Sequence, residues 1–189
     1  IIVQNQDDLQ FVRSIPGIQH NQVFLIKGSG VDLSEFDFSP PAHDNPLQVV
    51  MASRMLYDKG IKELVDSARI IKSGNHKEVE VILAGKLDAE NVSGIPEAIL
   101  HQWTQEGVVK WVGHQDNIAE LYRRSAIVVL PSYREGFPKA LIEACAIGRP
   151  IVTTDVPGCR EVVDHGENGF LVEKGSVNEL AEAIQILLD

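Results

Sequence analysis

The chain has 189 residues, 44% of them hydrophobic and 23% charged, which suits one soluble globular domain with some added structure. Its formal net charge of −10 excludes the basic stripe that a nucleic-acid partner requires, and it excludes whole-surface attraction to anionic lipid, although a local patch could still supply that.

Residues 1–41 begin with a short strand, IIVQ, followed by a helix predicted over 7–14 and a second strand, VFLIK, at 23–27. The turn Gly28-Ser29-Gly30-Val31-Asp32 comes next, then a polar, proline-bearing stretch over 39–46 that reads as a linker. A boundary near residue 44 is expected, with 1–43 as the tail of a preceding domain and its crossover and 44–189 as a second domain.

From there strand and helix alternate. Strands are predicted at 47–53, 79–84, 108–112, 126–130, 150–153 and 170–172, and helices at 59–72, 96–106, 117–124, 139–147, 159–163 and 177–188. The strands are continuous Val- and Ile-rich runs, as expected where helices cover both faces of a sheet. The predicted fold is α/β: a doubly wound, Rossmann-like parallel sheet with right-handed crossovers.

Ligands in such sheets bind beyond the carboxyl ends of the strands. Four loops qualify, after Ser53, Ala84, Leu130 and Thr153. The loop after Leu130 carries a glycine and a proline where a helix should begin, so free backbone N–H groups and the helix dipole favour an anion there. Glu143 lies inside the apolar helix that follows. A carboxylate in that setting needs donors. A ribose diol would supply two; Arg149, Arg160 or a backbone amide would serve equally well. Glu135 reads either as an acceptor for sugar hydroxyls or as a solvated loop acid. In the loop after Ser53, Arg54 and Lys59 can converge on a diphosphate as fork and point charge, or stand as two solvated cations at a helix start that Asp58 caps.

Other chemistries lack their signatures. Gly28-Ser29-Gly30 starts like a dinucleotide fingerprint, but Leu33 holds the third glycine's place and no helix follows. There is no DxD and no GxSxG, and His20, His43, His76, His101, His114 and His165 are scattered without ligand spacing, so no metal site is expected. Cys145 and Cys159 lack CxxC spacing and are expected to be reduced thiols of a cytoplasmic protein. No run reaches transmembrane length, no secretory signal opens the chain, and the absence of an initial Met suggests a longer protein cut at this point. Tyr133 and Trp111 read as packing residues, and Trp103 as core or groove.

At this point five segments in order carry a resemblance: GSGVD at 28–32, SRMLYDKG at 53–60, VGH at 112–114, EGFPKALIE at 135–143 and RPIVTTDVPGCREVV at 149–163. Together they resemble a retaining GT-B glycosyltransferase of family 4, glycosyl transferase group 1, in its C-terminal donor-binding domain. The resemblance implies a nucleoside-diphosphate sugar of UDP or GDP type as donor substrate, with no cofactor and no metal. It implies that Arg54 and Lys59 hold the donor diphosphate, that Glu143 binds the ribose hydroxyls and that Glu135 contacts the hexose, with Arg54, Lys59 and Glu135 in the catalytic roles. Backbone groups of Gly136, Phe137 and Lys139 would face hexose and phosphate, Val112, Gly113 and His114 would line the base pocket, and Gly30 would sit in the turn joining the two domains. The acceptor would be a lipid-linked sugar or growing glycan, bound through an N-terminal domain of which residues 1–43 are the tail, so the chain alone is expected to be inactive. Bacterial O-antigen or capsule synthesis is implied, in the cytoplasm or peripherally at the inner face of the membrane. The alternatives are a nucleotide-sugar-binding module without transfer activity, or a GT-B phosphorylase or epimerase; a pyridoxal-type phosphorylase would need a cofactor lysine, for which there is no specific signal.

Overall fold

The computed structural model describes residues 1–40, 46–74 and 78–189. The expected boundary at residues 43 and 44, part of the predicted linker, and His43 and His76 lie outside the described residues.

The first unit is a small βαβ: β1 (Ile2–Val3), α1 (Gln6–Arg13) and β2 (Phe24–Leu25), with β1 and β2 paired in parallel. Asn5 caps α1 by accepting from the Asp8 amide at 2.7 Å, while Asp7 and Asp8 in the first turn and Arg13 in the last complement the helix dipole. Val3, Leu9 and Val23 form a small core of their own.

The second unit holds the main core. Its elements are β3 (Gln48–Ala52), α2 (Ile61–Ser73), β4 (Glu80–Ala84), α3 (Glu97–Gln105), β5 (Lys110–Trp111), α4 (Ile118–Arg124), β6 (Ile127–Leu130), α5 (Lys139–Ile147), β7 (Ile151–Thr154), β8 (Gly169–Val172) and α6 (Val177–Leu188). The strand order is β5-β4-β3-β6-β7-β8 and every pairing is parallel. Counted from β3, this is the Rossmann order, 3-2-1-4-5-6. β6 and β7 are buried along their whole length, with α2 packed on α6 and α4 on α5. Among the described residues no helix is long and apolar enough to cross a membrane.

Residues 32–40 of the crossover belong physically to this second unit. Phe36 is part of the main core, Ser39 N–H donates to the Ile147 carbonyl at 3.1 Å, and buried Arg149 donates to the carbonyls of Ser39 (2.7 Å) and Pro40 (3.0 Å). The two cores are therefore separated by the Gly28–Gly30 turn, where both glycines hold positive φ, +58° and +74°.

Two local expectations fail. Residues 159–163 form turns and no helix, because Gly158 at φ +83° precedes them and the segment is too short to nucleate one. Asp58 does not cap α2. The helix begins after Gly60, itself in the left-handed region, and Asp58 lies in a 3-10 turn, Tyr57–Lys59.

Candidate functional site

The strand order reverses between β3 and β6, so the loops after these two strands part and leave a crevice between them. The two loops are fastened to each other. A Cβ on Gly60 would lie 2.0 Å from the Pro131 carbonyl oxygen, so the start of α2 can press on the β6 loop only as glycine. Tyr133 N–H donates to the Asp58 carbonyl at 2.9 Å, and the Thr154 hydroxyl donates to the Ser132 carbonyl.

This fastening places Lys59 against Glu135, with Nζ 2.6 Å from Oε1 and side chains 19% and 14% exposed. Gly158 passes beneath the same loop, where an added Cβ would lie 2.6 Å from the carbonyl oxygens of both Glu135 and Gly136. Phe137 turns away to pack on Gly28, whose Cβ would stand 2.7 Å from its ring, so the joint between the units rests on the site loop. Gly30 has nothing within 4 Å of a built Cβ.

Arg54 points to the other side. Its guanidinium meets Asp88 at 2.8 Å at the mouth of a cleft of about 510 Å³ beyond the ends of β3, β4 and β5. Ser53, Gly85, Lys86, His114 and Gln115 line this cleft with it. Val112 and Gly113 do not line the cleft; they lie behind it and bond to the neighbouring β4 end, Val112 N–H to Leu83 O at 3.0 Å and Gly85 N–H to Gly113 O at 2.7 Å. His114 is exposed, its Nε2 3.4 Å from Asp116.

Glu143 is 6% exposed on α5. Its partner is Lys139 one turn back, Nζ to Oε1 3.2 Å, and burial holds the carboxyl above its ordinary range despite that cation. Neither arginine considered from the sequence fills this role. Arg149 serves main-chain carbonyls, and Arg160 pairs with Asp155 at 2.7 Å and Asp7 at 3.4 Å. Beside α5, the buried Tyr122 hydroxyl has no hydrogen-bond partner among the described residues.

Sequence reasoning missed three participants. Asp88 carries no sequence signal that would aim it at Arg54. Asn5, just ahead of the helix predicted over 7–14, is not singled out by the sequence, and nothing local marks it as a donor to the Gly136 carbonyl at 2.9 Å. Tyr133 is 38% exposed, its hydroxyl bonded to Glu63 at 2.8 Å under Lys174, and so is no core residue. Trp103 is core; Trp111 is half-buried and donates to the Gly85 carbonyl at 3.1 Å. Both cysteines are free thiols, and burial pushes Cys159 up to about 11, which makes it a poor nucleophile. Among the described residues no group of three or more His, Cys, Asp and Glu side chains could hold a metal ion.

A doubly wound sheet in Rossmann order, with Lys59 and Glu135 paired at its switch point, defines the class of α/β domain in which ligands bind beyond the strand ends. The glycosyl transferases group 1 family matches residues 32–189, and the chain belongs to that family. It is 30% identical over its full length to the N,N'-diacetylbacillosaminyl-diphospho-undecaprenol alpha-1,3-N-acetylgalactosaminyltransferase of Campylobacter jejuni, covering 50% of that protein. It is 38% identical over 72% of its length to the capsular polysaccharide biosynthesis glycosyltransferase CapM of Staphylococcus aureus, covering 35% of it. Among solved structures it superposes on Anabaena HepE in complex with UDP-glucose with TM-score 0.82 and 28% identity, covering all of this chain and 53% of that one. The chain thus spans about half the length, or less, of these relatives.

Proposed function

We propose that the protein transfers a hexose from a nucleoside-diphosphate sugar to a lipid-linked or growing glycan, with retention at the anomeric carbon, and that this chain is its donor-binding part. The observation that carries the reading is the Lys59–Glu135 pair at the switch point between β3 and β6, beside the cleft that Arg54 borders. The relatives support it: one is named for transfer to a diphospho-undecaprenol carrier, one for capsule synthesis, and one is solved with UDP-glucose.

In this reading the nucleoside enters the cleft beside His114, with Glu143 accepting from the ribose hydroxyls. The diphosphate lies between Arg54, Lys59 and the N-terminus of α5, and the hexose meets Glu135 and the main chain of Gly136, Phe137 and Lys139. As the glycosidic bond breaks, negative charge grows on the leaving diphosphate. Arg54 and Lys59, turning from Asp88 and Glu135 to the entering diphosphate, stabilise that charge together with the amides at the start of α5. These groups suffice for departure without a metal, and chelator is expected to leave the rate unchanged.

Thermal unfolding with UDP, GDP and ADP tests the donor site. A ligand at one hundred times its dissociation constant stabilises the folded state by about 2.7 kcal/mol, which raises the melting temperature by several degrees. No shift with any of the three at millimolar concentration refutes the donor reading. A shift that survives Glu143→Ala unchanged removes Glu143 from the ribose role.

A further inference from the structure

The small unit meets the second unit mainly along the N-terminal end of α1. Most of the seam is charged. Asp8 pairs with Arg134, Asp7 with Arg160 at 3.4 Å, Lys27 with Glu161 at 2.9 Å, and Gln6 N–H donates to Glu161 at 2.5 Å. The cations of these pairs are well exposed and the pairs are screened by salt, although Glu161 itself is only 10% exposed. One contact differs in kind. Asn5 is 0% exposed, and its Nδ2 donates to the Gly136 carbonyl at 2.9 Å and more weakly to the Glu135 carbonyl at 3.4 Å. The same side chain is fixed from behind, because Oδ1 accepts from the Asp8 amide at 2.7 Å and Nδ2 also donates to the Asp8 carboxylate at 2.9 Å. An uncharged, desolvated amide locked by its own helix therefore holds two successive carbonyls of the loop that also presents Glu135 to Lys59.

We propose that Asn5 is a positioning residue: its amide ties the end of β1 to the Glu135–Gly136 main chain, so that seating of the small unit sets the shape of the loop at the sugar end of the donor. The inference rests on the reading above that this loop receives the donor. Three features support it. The two units have separate cores joined through Gly28 and Gly30 at positive φ, so their contact is made by the seam and the turn rather than by a shared core. The exposed Gln4 side chain also lies over Gly136, with Oε1 2.3 Å from where a Cβ would stand. Gly158 presses the same two carbonyls from below, so the loop is set between the two contacts.

The test replaces Asn5 by Ser in the protein as expressed from its own gene. Serine is an equally good helix cap but has no amide to reach the carbonyls. UDP and UDP-sugar affinities are measured beside the steady-state constants. The expected result is a loss of about tenfold in affinity or kcat/KM for the sugar nucleotide with UDP affinity near wild type, and a melting temperature lower by a few degrees because the Gly136 carbonyl is left without its donor. Equal loss for UDP and UDP-sugar, or no loss for either, overturns the proposal and leaves Asn5 a helix cap. Asn5→Asp, which keeps the cap and turns an acceptor toward the two carbonyls, should be worse than Asn5→Ser; a better Asp variant also overturns it. Amide hydrogen exchange over 135–137 without ligand separates this failure from failure of the donor reading. Exchange must speed up in Asn5→Ser if the tether exists, whatever the loop binds, and unchanged exchange refutes the tether.

Discussion

Lys59 and Glu135 face each other across the crevice at 2.6 Å, one carried by the loop after β3 and the other by the loop after β6. The pair closes the switch point in the unliganded protein. An entering diphosphate must share Lys59 with a carboxylate already bonded to it. Glu135→Gln keeps the shape and removes that competing charge. Affinity for a bare nucleoside diphosphate is therefore expected to rise about threefold to tenfold, the scale of a partly screened ion pair, while transfer from the sugar nucleotide falls. Titration calorimetry with UDP against Glu135→Gln reads the sign directly, and weaker UDP binding would contradict the competition. Lys59→Met leaves Glu135 shielded without its cation and should cost about 1–3 kcal/mol in urea unfolding.

Glu143 carries a pH dependence whose sign follows from its surroundings. Burial is the largest influence and raises its carboxyl, with Lys139 opposing. A carboxyl raised in the folded state contributes stability that is complete below its unfolded value, near 4.3, and that is lost as pH rises through the folded value. Glu143→Gln lacks this loss. The variant should therefore gain stability relative to wild type between about pH 4 and neutral, as urea midpoints across that range would register. Nucleotide binding should run the opposite way. Ribose hydroxyls donate best to the ionised carboxylate, so wild-type affinity should fall as pH drops through the raised value, while Glu143→Gln should show little such dependence.

How much of this was legible in the sequence differed by kind of feature. β3, β4, β6 and β7 were readable because strands buried on both faces must be continuous apolar runs, and α5 was readable because its start and stop, Pro138 and Gly148, bound an apolar stretch. Glu143 stood out for the same reason, as a charge inside that stretch, although its partner proved to be Lys139 rather than either arginine. What could not be read was distance between segments far apart in the chain. Nothing local says that Gly60 must touch Pro131, yet that approach brings Lys59 to Glu135. Nothing near Arg54 says that it turns to Asp88. The false helix at 159–163 had suitable residues, but its entry through Gly158 was dictated by the loop above, which only the folded chain reveals.

Gly158 and Gly166 make a matched pair for testing that approach. Both hold positive φ, +83° and +84°, but a Cβ on Gly158 would meet two carbonyl oxygens at 2.6 Å, while Gly166 faces open space. Gly166→Ala should cost about 1 kcal/mol, the strain of a left-handed alanine, and leave nucleotide binding alone. Gly158→Ala carries the same strain and must also displace the Glu135–Gly136 main chain, so it should cost more and weaken sugar-nucleotide binding. Equal stability losses and equal binding would show that the loop does not depend on the approach from below.

Tyr122 offers a test in the stabilising direction. Its ring is fully buried and its hydroxyl oxygen has no hydrogen-bond partner among the described residues, while burial and the nearby Glu143 charge both push its ionisation upward. A buried hydroxyl without a partner has lost its water and received nothing in exchange. Tyr122→Phe keeps the ring, so no large cavity opens and the desolvation penalty is removed. Unfolding in urea should show a variant as stable as wild type or up to about 1 kcal/mol more stable. A loss of more than that amount would mean that the phenol donates to a group in solution. Glu143 would then be the first to examine: in the double variant with Glu143→Gln the loss should shrink if the two are bonded and persist if they are not.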